Sequence, residues 1–271
     1  MKYSFDNGGS VHLIQITDCH IHNEKHMLLS GVNTFDSLNQ VLDGLNSSAE
    51  PVDLVVVTGD LTHEGDARAY QSLLEQLEKL PAPYFWLAGN HDHLQFMLEV
   101  GTNERLRTKQ IILPHWQILM LDSHIEDEVP GDVSQSELSW LATALREHPD
   151  KYAAIFVHHH VVPVKCAWLD TQLIANAEQL LTLFANTPQL KFVCSGHVHQ
   201  EFAQQQGHFS LLTTPSTCVQ FKTVSDDYAE DELAPGYRRF ALHPDGSFDT
   251  QVIRVGELVR VPGTQRGYPG F

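Results

Sequence analysis

The chain contains a series of short apolar runs, five to seven residues long, that constrain its fold more than any other feature. They are rich in β-branched and aromatic residues, and several are continuous rather than alternating. Continuous runs are typical of strands that are buried on both faces of a sheet. The runs lie at residues 11–17, 54–58, 84–88, 116–121, 153–157, 191–195 and 209–213.

Helical periodicity fills several of the intervals between these runs. Thr34, Asp66 and Ser134 each stand where they can cap a helix, and Asn176 can open a fourth one. Ser134 and Glu137 also have the spacing of a capping box. Strands that alternate with helices in this way predict an α/β fold.

The chain length of 271 residues allows one large domain or two small ones, and the sequence shows no linker or internal repeat. We therefore expect one domain over residues 1–255, followed by a tail rich in Gly and Pro at residues 256–271. The four widely spaced cysteines favour free thiols over a disulfide framework. Residues 1–10 lack the apolar core of a signal peptide, and no run approaches the ~18 apolar residues of a membrane helix, so we expect a cytoplasmic protein.

The formal net charge of −17 restricts the partners of the chain. Non-specific binding to nucleic acid or to an anionic membrane surface requires a basic patch, so the charge argues against both. An anionic substrate would be repelled by the average field, and its site would need a local positive source. Bound metal ions would supply that source.

Polar residues of a few types follow five of the apolar runs, each time just beyond the end of the predicted strand. They are Asp18 and His20 after 11–17, Asp60 after 54–58, Asn90 and His91 after 84–88, His158 after 153–157, and His197 and His199 after 191–195. In open α/β sheets, ligands bind just beyond the carboxyl ends of strands. Core packing does not explain why five strands deliver Asp, His or Asn to this edge, so these residues are candidates for a functional site.

The spacing within these motifs favours metal binding. Asp-x-His and His-x-His place two side chains on the same side of an extended segment, from which both can bind one ion. Carboxylate and imidazole ligands suit Mn, Fe or Zn, and the lack of a thiolate cluster argues against a structural zinc site. Glycine directly precedes Asp60, Asn90 and His197, where it permits a sharp backbone turn. Each motif is weak by itself, but their ordered occurrence after strands is specific.

Through these residues the chain resembles the calcineurin-like metallophosphoesterases. The matching motifs are Asp18-Cys19-His20, Gly59-Asp60, Gly89-Asn90-His91-Asp92, His158-His159 and Gly196-His197-Val198-His199. A closer similarity, to the bacterial class III cyclic-AMP phosphodiesterases, runs over most of the chain. It includes two segments that are not metal motifs, TPSTCVQFK and APGYR, and these separate it from the wider superfamily.

The resemblance implies a two-sheet sandwich flanked by helices in four layers, and a catalytic domain that holds two metal ions. The metals of the family are typically iron and manganese, and zinc is an alternative. The implied ligands of the first metal are Asp18, His20, Asp60 and His199. Those of the second are Asp60, Asn90, His158 and His197, with Asp60 as the bridge.

One ligand position and the substrate contacts need separate mention. The run His158-His159-His160 leaves the register open, and we choose His158 because it directly follows the strand. The resemblance also implies that His91 faces the substrate without binding metal. The expected substrate contacts are His20, Asp60, Asn90, His91 and His199.

The predicted reaction is hydrolysis of 3′,5′-cyclic AMP (cAMP) to 5′-AMP, which would lower cellular cAMP. His91 is the best candidate to donate a proton to the leaving 3′ oxygen, because imidazole titrates near neutral pH. One alternative is a related enzyme that acts on glycerophosphodiesters or other phosphate esters, and a second is a non-catalytic module that binds cyclic nucleotides.

We expect a monomer or a homodimer without nucleic-acid or membrane partners. Phe221, Tyr228 and Tyr237 can either stack on a purine or pack in the core.

Overall fold

Each of the seven apolar runs contains or forms a strand in the computed structural model, which describes residues 9–264 and 267. Strands β1 to β15 span, in order, Val11–Ile16, Leu28–Leu29, Val32–Asn33, Leu54–Thr58, Tyr84–Leu87, Gln110–Ile112, Trp116–Leu121, Tyr152–Val157, Leu190–Ser195, Phe202–Gln206, Phe209–Thr213, Gln220–Phe221, Glu230–Asp231, Gly236–Leu242 and Phe248–Arg254. Helices α1 to α5 span Thr34–Ser47, Ala67–Leu77, Leu94–Val100, Gln135–Glu147 and Ala177–Ala185. Two 3₁₀ turns span Glu104–Arg107 and Leu169–Gln172.

The longer strands form two mixed sheets. The first has the order β15-β14-β1-β4-β5, and the second has the order β10-β11-β9-β8-β7-β6. Strands β1, β4 and β5 are parallel to one another, as are β7, β8, β9 and β11. The carboxyl ends of parallel neighbours meet at one edge of a sheet, so the turns after these strands are brought together.

The two sheets pack face to face and carry helices on their outer faces. Between them, Phe240 of β14 stacks on Phe192 of β9, with ring centroids 4.6 Å apart, and meets Phe156 of β8 edge-on. Helices α1 and α2 cover the outer face of the first sheet, and α4 and α5 cover that of the second. The predicted four-layer sandwich is therefore confirmed.

The residues predicted to cap or open helices agree with the structure at three of four positions. Asp66 and Ser134 accept backbone N–H groups at the starts of α2 and α4. The prediction for Thr34 is wrong, because Asn33 is the cap and accepts the N–H of Asp36 at 3.1 Å. Asn176 opens α5 as predicted, and its side chain bonds the backbone of Val133 and thereby ties α5 to the loop before α4.

The terminal segments lie only partly within the described residues. Arg260 pairs with Glu230 at 2.7 Å and forms a backbone bridge with Val32, so residues near 260 are docked onto the domain. The division into 1–255 and 256–271 stays a prediction, and residues 1–8, 265–266 and 268–271 lie outside the described part. No helix in the described part of the chain is long and apolar enough to cross a membrane.

Candidate metal centre

The seven predicted ligands lie on turns that follow five parallel strands. They are Asp18 and His20 after β1, Asp60 after β4, Asn90 after β5, His158 after β8, and His197 and His199 after β9. The first three strands belong to one sheet and the last two to the other. The structure therefore brings all seven together where the carboxyl edges of the two sheets meet. All but Asn90 are buried.

One group of side chains consists of Asp18, His20, Asp60 and His199. One candidate ligand atom from each lies within 4.8 Å of the other three. His199 Nε2 is 3.3 Å from both Asp18 Oδ1 and His20 Nε2, and His20 Nε2 is 3.6 Å from Asp60 Oδ2. Imidazole and carboxylate donors that converge in this way can hold a divalent cation.

A second group lies on the other side of Asp60. His158 Nε2 is 3.3 Å from Asp60 Oδ1 and 3.1 Å from Asn90 Oδ1. The ring of His197 lies 5.2 Å from that of His158 between centroids. Asp60 thus turns Oδ2 towards the first group and Oδ1 towards the second, which is the geometry of a ligand shared by two ions.

The contacts of His158, His159 and His160 distinguish these three neighbours. His158 faces Asp60, as described above. His159 lies within reach of the nitrogens of His158 and His197, but its own ring nitrogens bond Ser123 Oγ at 2.8 Å and the Val129 carbonyl at 3.0 Å. His160 stacks on His197, with ring centroids 5.8 Å apart. This geometry favours the register in which His158 is the ligand.

Three imidazoles of the site donate one ring N–H to an acceptor behind the site. His158 donates from Nδ1 to the Thr58 carbonyl at 2.9 Å, His199 from Nδ1 to the Val219 carbonyl at 2.7 Å, and His197 from Nε2 to Gln172 Oε1 at 2.9 Å. Such a bond fixes the tautomer and leaves the opposite nitrogen with the lone pair that a metal requires. This donor set fits two divalent cations. No sequence motif pointed to Gln172.

The segment 214–222, TPSTCVQFK, packs behind the first group. Ser216 Oγ donates to the Asp18 carbonyl at 2.8 Å, and the ring of Phe221 stacks on His199 with centroids 4.2 Å apart. Phe221 and Tyr237 are each only 2% exposed, so both pack in the interior and neither presents a ring face to a purine. This segment thus contacts two of the candidate ligands, Asp18 and His199.

The backbone at the site adopts a conformation that residues other than glycine rarely take. Asp18, His20, Asp60, His197 and His199 have φ between 46° and 64°. Each such residue costs on the order of 1–3 kcal/mol, which the surrounding contacts must offset. These turns aim the side chains inward from the strand ends, and strain of this kind clusters at functional sites.

The three glycines next to the ligands have two different roles. Gly59 has φ of +87°, as the sharp turn predicted from the sequence requires. Gly89 and Gly196 are needed for space, because a Cβ on Gly89 would collide with Asp60 and a Cβ on Gly196 would collide with Thr17. The close approach of these segments is a tertiary feature.

The ionisable side chains of the metal-free centre differ in their protonation states. Burial by itself would lower the pKa of His158, but the Asp60 carboxylate and its hydrogen bond outweigh burial and raise that pKa to about 9. Burial would likewise raise the pKa of Asp60, yet His158 and His91 hold it well below its usual range. Burial keeps the pKa values of His20 and His197 well below that of a free imidazole. At neutral pH the metal-free centre therefore contains a His158–Asp60 ion pair beside the neutral imidazoles of His20 and His197.

His91 lies at the open side of the site. Its backbone N–H donates to Asp60 Oδ1 at 3.0 Å, and its Nδ1 donates to the His63 carbonyl at 3.1 Å. Its ring packs edge-on against His20, with centroids 4.9 Å apart. No sequence motif pointed to His63. It also contacts His20, and burial among His91 and His22 lowers its pKa to about 3.

Asp92 holds together the two turns that carry Asp60 and Asn90. Its carboxylate accepts the N–H groups of Leu61 and Gly89 at 3.1 and 2.8 Å. It also accepts the N–H of Thr62 and the hydroxyl of Tyr70, at 3.2 and 2.9 Å. Burial, with Asp60 nearby, raises the pKa of Asp92 to about 6. Asp92 is thus a structural anchor for both turns.

Sequence comparisons find close relatives over most of the chain. The family model of the calcineurin-like phosphoesterases matches residues 11–201. The 3′,5′-cyclic adenosine monophosphate phosphodiesterase CpdA of Escherichia coli K12 is 38% identical over 95% of both chains. The protein of the same name from Pseudomonas aeruginosa is 36% identical over 92% of both chains.

Comparison with solved structures identifies the same fold in more distant proteins. A dimetal phosphatase from Danio rerio superposes with a TM-score of 0.62 at 16% sequence identity, and the match covers 91% of this chain and 99% of the other. At this identity the likeness concerns the fold alone.

Proposed function

The chain belongs to the calcineurin-like phosphoesterase family, and on this basis we propose that it is a metal-dependent phosphodiesterase that hydrolyses 3′,5′-cAMP to 5′-AMP. The structural observation that carries the proposal is the position of Asp60 between two groups of metal-ligand side chains. The choice of cAMP is supported by the names of relatives that are 36–38% identical over more than nine-tenths of the chain.

The proposed ligands divide between two ions. Asp18, His20, Asp60 and His199 would hold the first, and Asp60, Asn90, His158 and His197 would hold the second. Divalent ions at such a centre neutralise the charge of a phosphodiester and lower the pKa of water for attack on phosphorus. They would also supply the positive source that an anionic substrate needs on a chain with a net charge of −17.

The proposed metals are iron, manganese or both, with zinc as an alternative. The donors are imidazoles, carboxylates and one amide, which suit these metals. Cys218 lies close behind the first group, where its thiol contacts the Asp18 carbonyl at 3.5 Å. Burial raises the pKa of this thiol to about 12, so it is protonated at neutral pH in the metal-free centre.

His91 is the proposed proton donor to the leaving 3′ oxygen. Its Nδ1 is committed to the His63 carbonyl, so Nε2 is the ring atom that can hold and release the transferred proton. The contacts of His91 with Asp60 and His20 support a position beside both proposed metal sites, and we propose that His91 is not itself a ligand. Asn90, His20, Asp60 and His199 are the other proposed neighbours of the substrate.

The proposed place of action is the cytoplasm, and the proposed state is a monomer or a homodimer. Cys19, Cys166, Cys194 and Cys218 are all buried free thiols. Reducing conditions keep such thiols intact.

The test is a comparison of substrates after metal removal and reloading. Chelator-treated protein is loaded separately with Mn²⁺, Fe²⁺ and Zn²⁺ and assayed on cAMP, cGMP, 2′,3′-cyclic AMP, glycerophosphocholine and bis(p-nitrophenyl) phosphate. We expect turnover of cAMP that disappears with chelator and returns with metal, and none in the Asp60→Ala variant.

Two other outcomes would each have a definite meaning. Faster turnover of glycerophosphocholine than of cAMP would assign the chain to another substrate of the same family. Binding of cAMP without turnover under any metal would favour a non-catalytic module and would overturn the proposal.

A further inference from the structure

His63 contacts two residues of the candidate metal centre. Its Nδ1 lies 3.5 Å from Nδ1 of His20, and its ring stacks on His91 with centroids 4.9 Å apart and an angle of 19° between planes. Its carbonyl also accepts the Nδ1–H of His91. One residue outside the ligand set thus reaches both a proposed ligand and the proposed proton donor.

The tautomer of His20 follows from what its two ring nitrogens face. Nε2 faces His199 Nε2 at 3.3 Å and Asp60 Oδ2 at 3.6 Å, so it must present its lone pair when this group holds an ion. The proton of a neutral His20 is therefore on Nδ1. Nδ1 of His20 faces Nδ1 of His63. For a hydrogen bond between these two atoms, Nδ1 of His63 must be the acceptor, so a neutral His63 carries its proton on Nε2.

The backbone holds His63 firmly in this place. Its N–H donates to the Ile21 carbonyl at 3.1 Å, and Ile21 forms a parallel bridge with Thr62. On the other side, the ring of His22 packs edge-on against His63 with centroids 4.7 Å apart, and His22 is itself bonded to Glu64. The segment that carries His20 is thus paired directly to the segment that carries His63.

We propose that His63 is a positioning residue for the first metal site: its Nδ1 accepts the Nδ1–H of His20 and so fixes the tautomer and ring orientation of that ligand. The inference rests on the proposed function, because it requires a metal at the group formed by Asp18, His20, Asp60 and His199. A metal-binding histidine almost always donates its second N–H to such an acceptor, and loss of the acceptor typically weakens metal binding about 10–100-fold.

The test compares variants that keep or remove an acceptor at the Nδ1 position. Asparagine places its carbonyl oxygen where Nδ1 of histidine stood, whereas glutamine reaches the Nε2 position and phenylalanine keeps only the flat ring. His63→Asn, His63→Gln and His63→Phe are titrated with Mn²⁺ and Co²⁺ against a competing chelator, and both stepwise dissociation constants are measured. His93→Gln, a change at a partly exposed histidine that pairs with Glu126 at 3.6 Å, is the control.

We expect His63→Phe and His63→Gln to weaken one of the two metal-binding steps about 10–100-fold, and His63→Asn and His93→Gln to stay close to the wild type. Equal metal affinity in the wild type, His63→Phe and His63→Gln would overturn the inference and leave the proposed function intact. If His63→Phe does not fold, the comparison of His63→Asn with His63→Gln decides. A wild-type chain that binds no metal would instead contradict the proposed function itself.

Discussion

The backbone N–H of His197 donates to both carboxylate oxygens of Asp18, at 3.0 and 3.1 Å. Asp18 follows a strand of the first sheet and His197 follows a strand of the second. The bond therefore joins the carboxyl edges of the two sheets within the candidate centre. It gives Asp18 a structural role that is separate from any metal.

This relationship predicts different stabilities for two variants of Asp18. In metal-free protein, Asp18→Asn keeps an oxygen that can accept the His197 N–H, whereas Asp18→Ala leaves that buried N–H without an acceptor. We expect Asp18→Ala to be less stable than Asp18→Asn by about 1–3 kcal/mol. Urea unfolding of chelator-treated protein measures the difference. Equal midpoints with equal slopes would show that the bond contributes nothing.

Replacement of His91 should separate proton donation from metal binding. We expect His91→Ala to retain its metal ions and to lose about 10²–10⁴-fold in turnover of cAMP, whose alkoxide leaving group needs a proton. On bis(p-nitrophenyl) phosphate the loss should be much smaller, because p-nitrophenolate leaves without protonation. Metal analysis and the two assays are made on the same preparation. A similar loss on both substrates would count against the proton-donor role, and loss of metal would make His91 a ligand.

The His158–Asp60 ion pair predicts that metal binding releases a proton. The pKa of His158 in the metal-free centre is about 9, so the imidazole is charged at pH 7 and must lose a proton to bind an ion. We expect about one proton per chain to be released at pH 7, with less release as the pH approaches 9. Calorimetric titration in two buffers with different ionisation enthalpies measures this number. Release that does not change between pH 7 and 9 would contradict the assignment.

The same pair predicts the pH dependence of stability in the metal-free protein. The folded-state pKa of His158 lies above its unfolded value of about 6.5, so its stabilising contribution is full below pH 6.5 and is lost as the pH rises through 9. The free energy of unfolding of chelator-treated protein should therefore fall over this range. His158→Asn is the control, and we expect it to show a flatter profile. Parallel profiles would show that another group is responsible.

The hydrogen bonds of Asp92 predict that two substitutions lower the free energy of unfolding by different amounts. Asp92→Ala removes the acceptor of three buried N–H groups and one hydroxyl. Tyr70→Phe removes one of these four bonds and also the bond that the Tyr70 hydroxyl accepts from the His93 N–H. We expect a loss of about 1–2 kcal/mol for Tyr70→Phe and at least about 3 kcal/mol for Asp92→Ala. Chemical unfolding of both variants provides the comparison. A smaller loss for Asp92→Ala than for Tyr70→Phe would exclude the anchoring role.

Seven of the fifteen strands and four of the five helices in the described part of the chain could be predicted from the sequence, because their signals are local. The run 54–58 is apolar at its first four positions, since both faces of β4 are buried. The hairpin of β14 and β15 and the helix α3 were not predicted. Their residues are a mixture of buried and partly exposed positions, and pairing partners that are distant in sequence decide their structure.

Most of the candidate ligands were likewise predicted from the sequence, since strand ends and the glycines before Asp60, Asn90 and His197 are visible in it. Only the tertiary structure decided which of three consecutive histidines faces Asp60, because Ser123 and Val129 bond His159 from another loop. It also decided that Gln172, Val219 and His63 contact ring nitrogens of the ligands. The physical reason is that these bonds join segments 20 to 43 positions apart, and no local pattern of residues specifies where such segments meet.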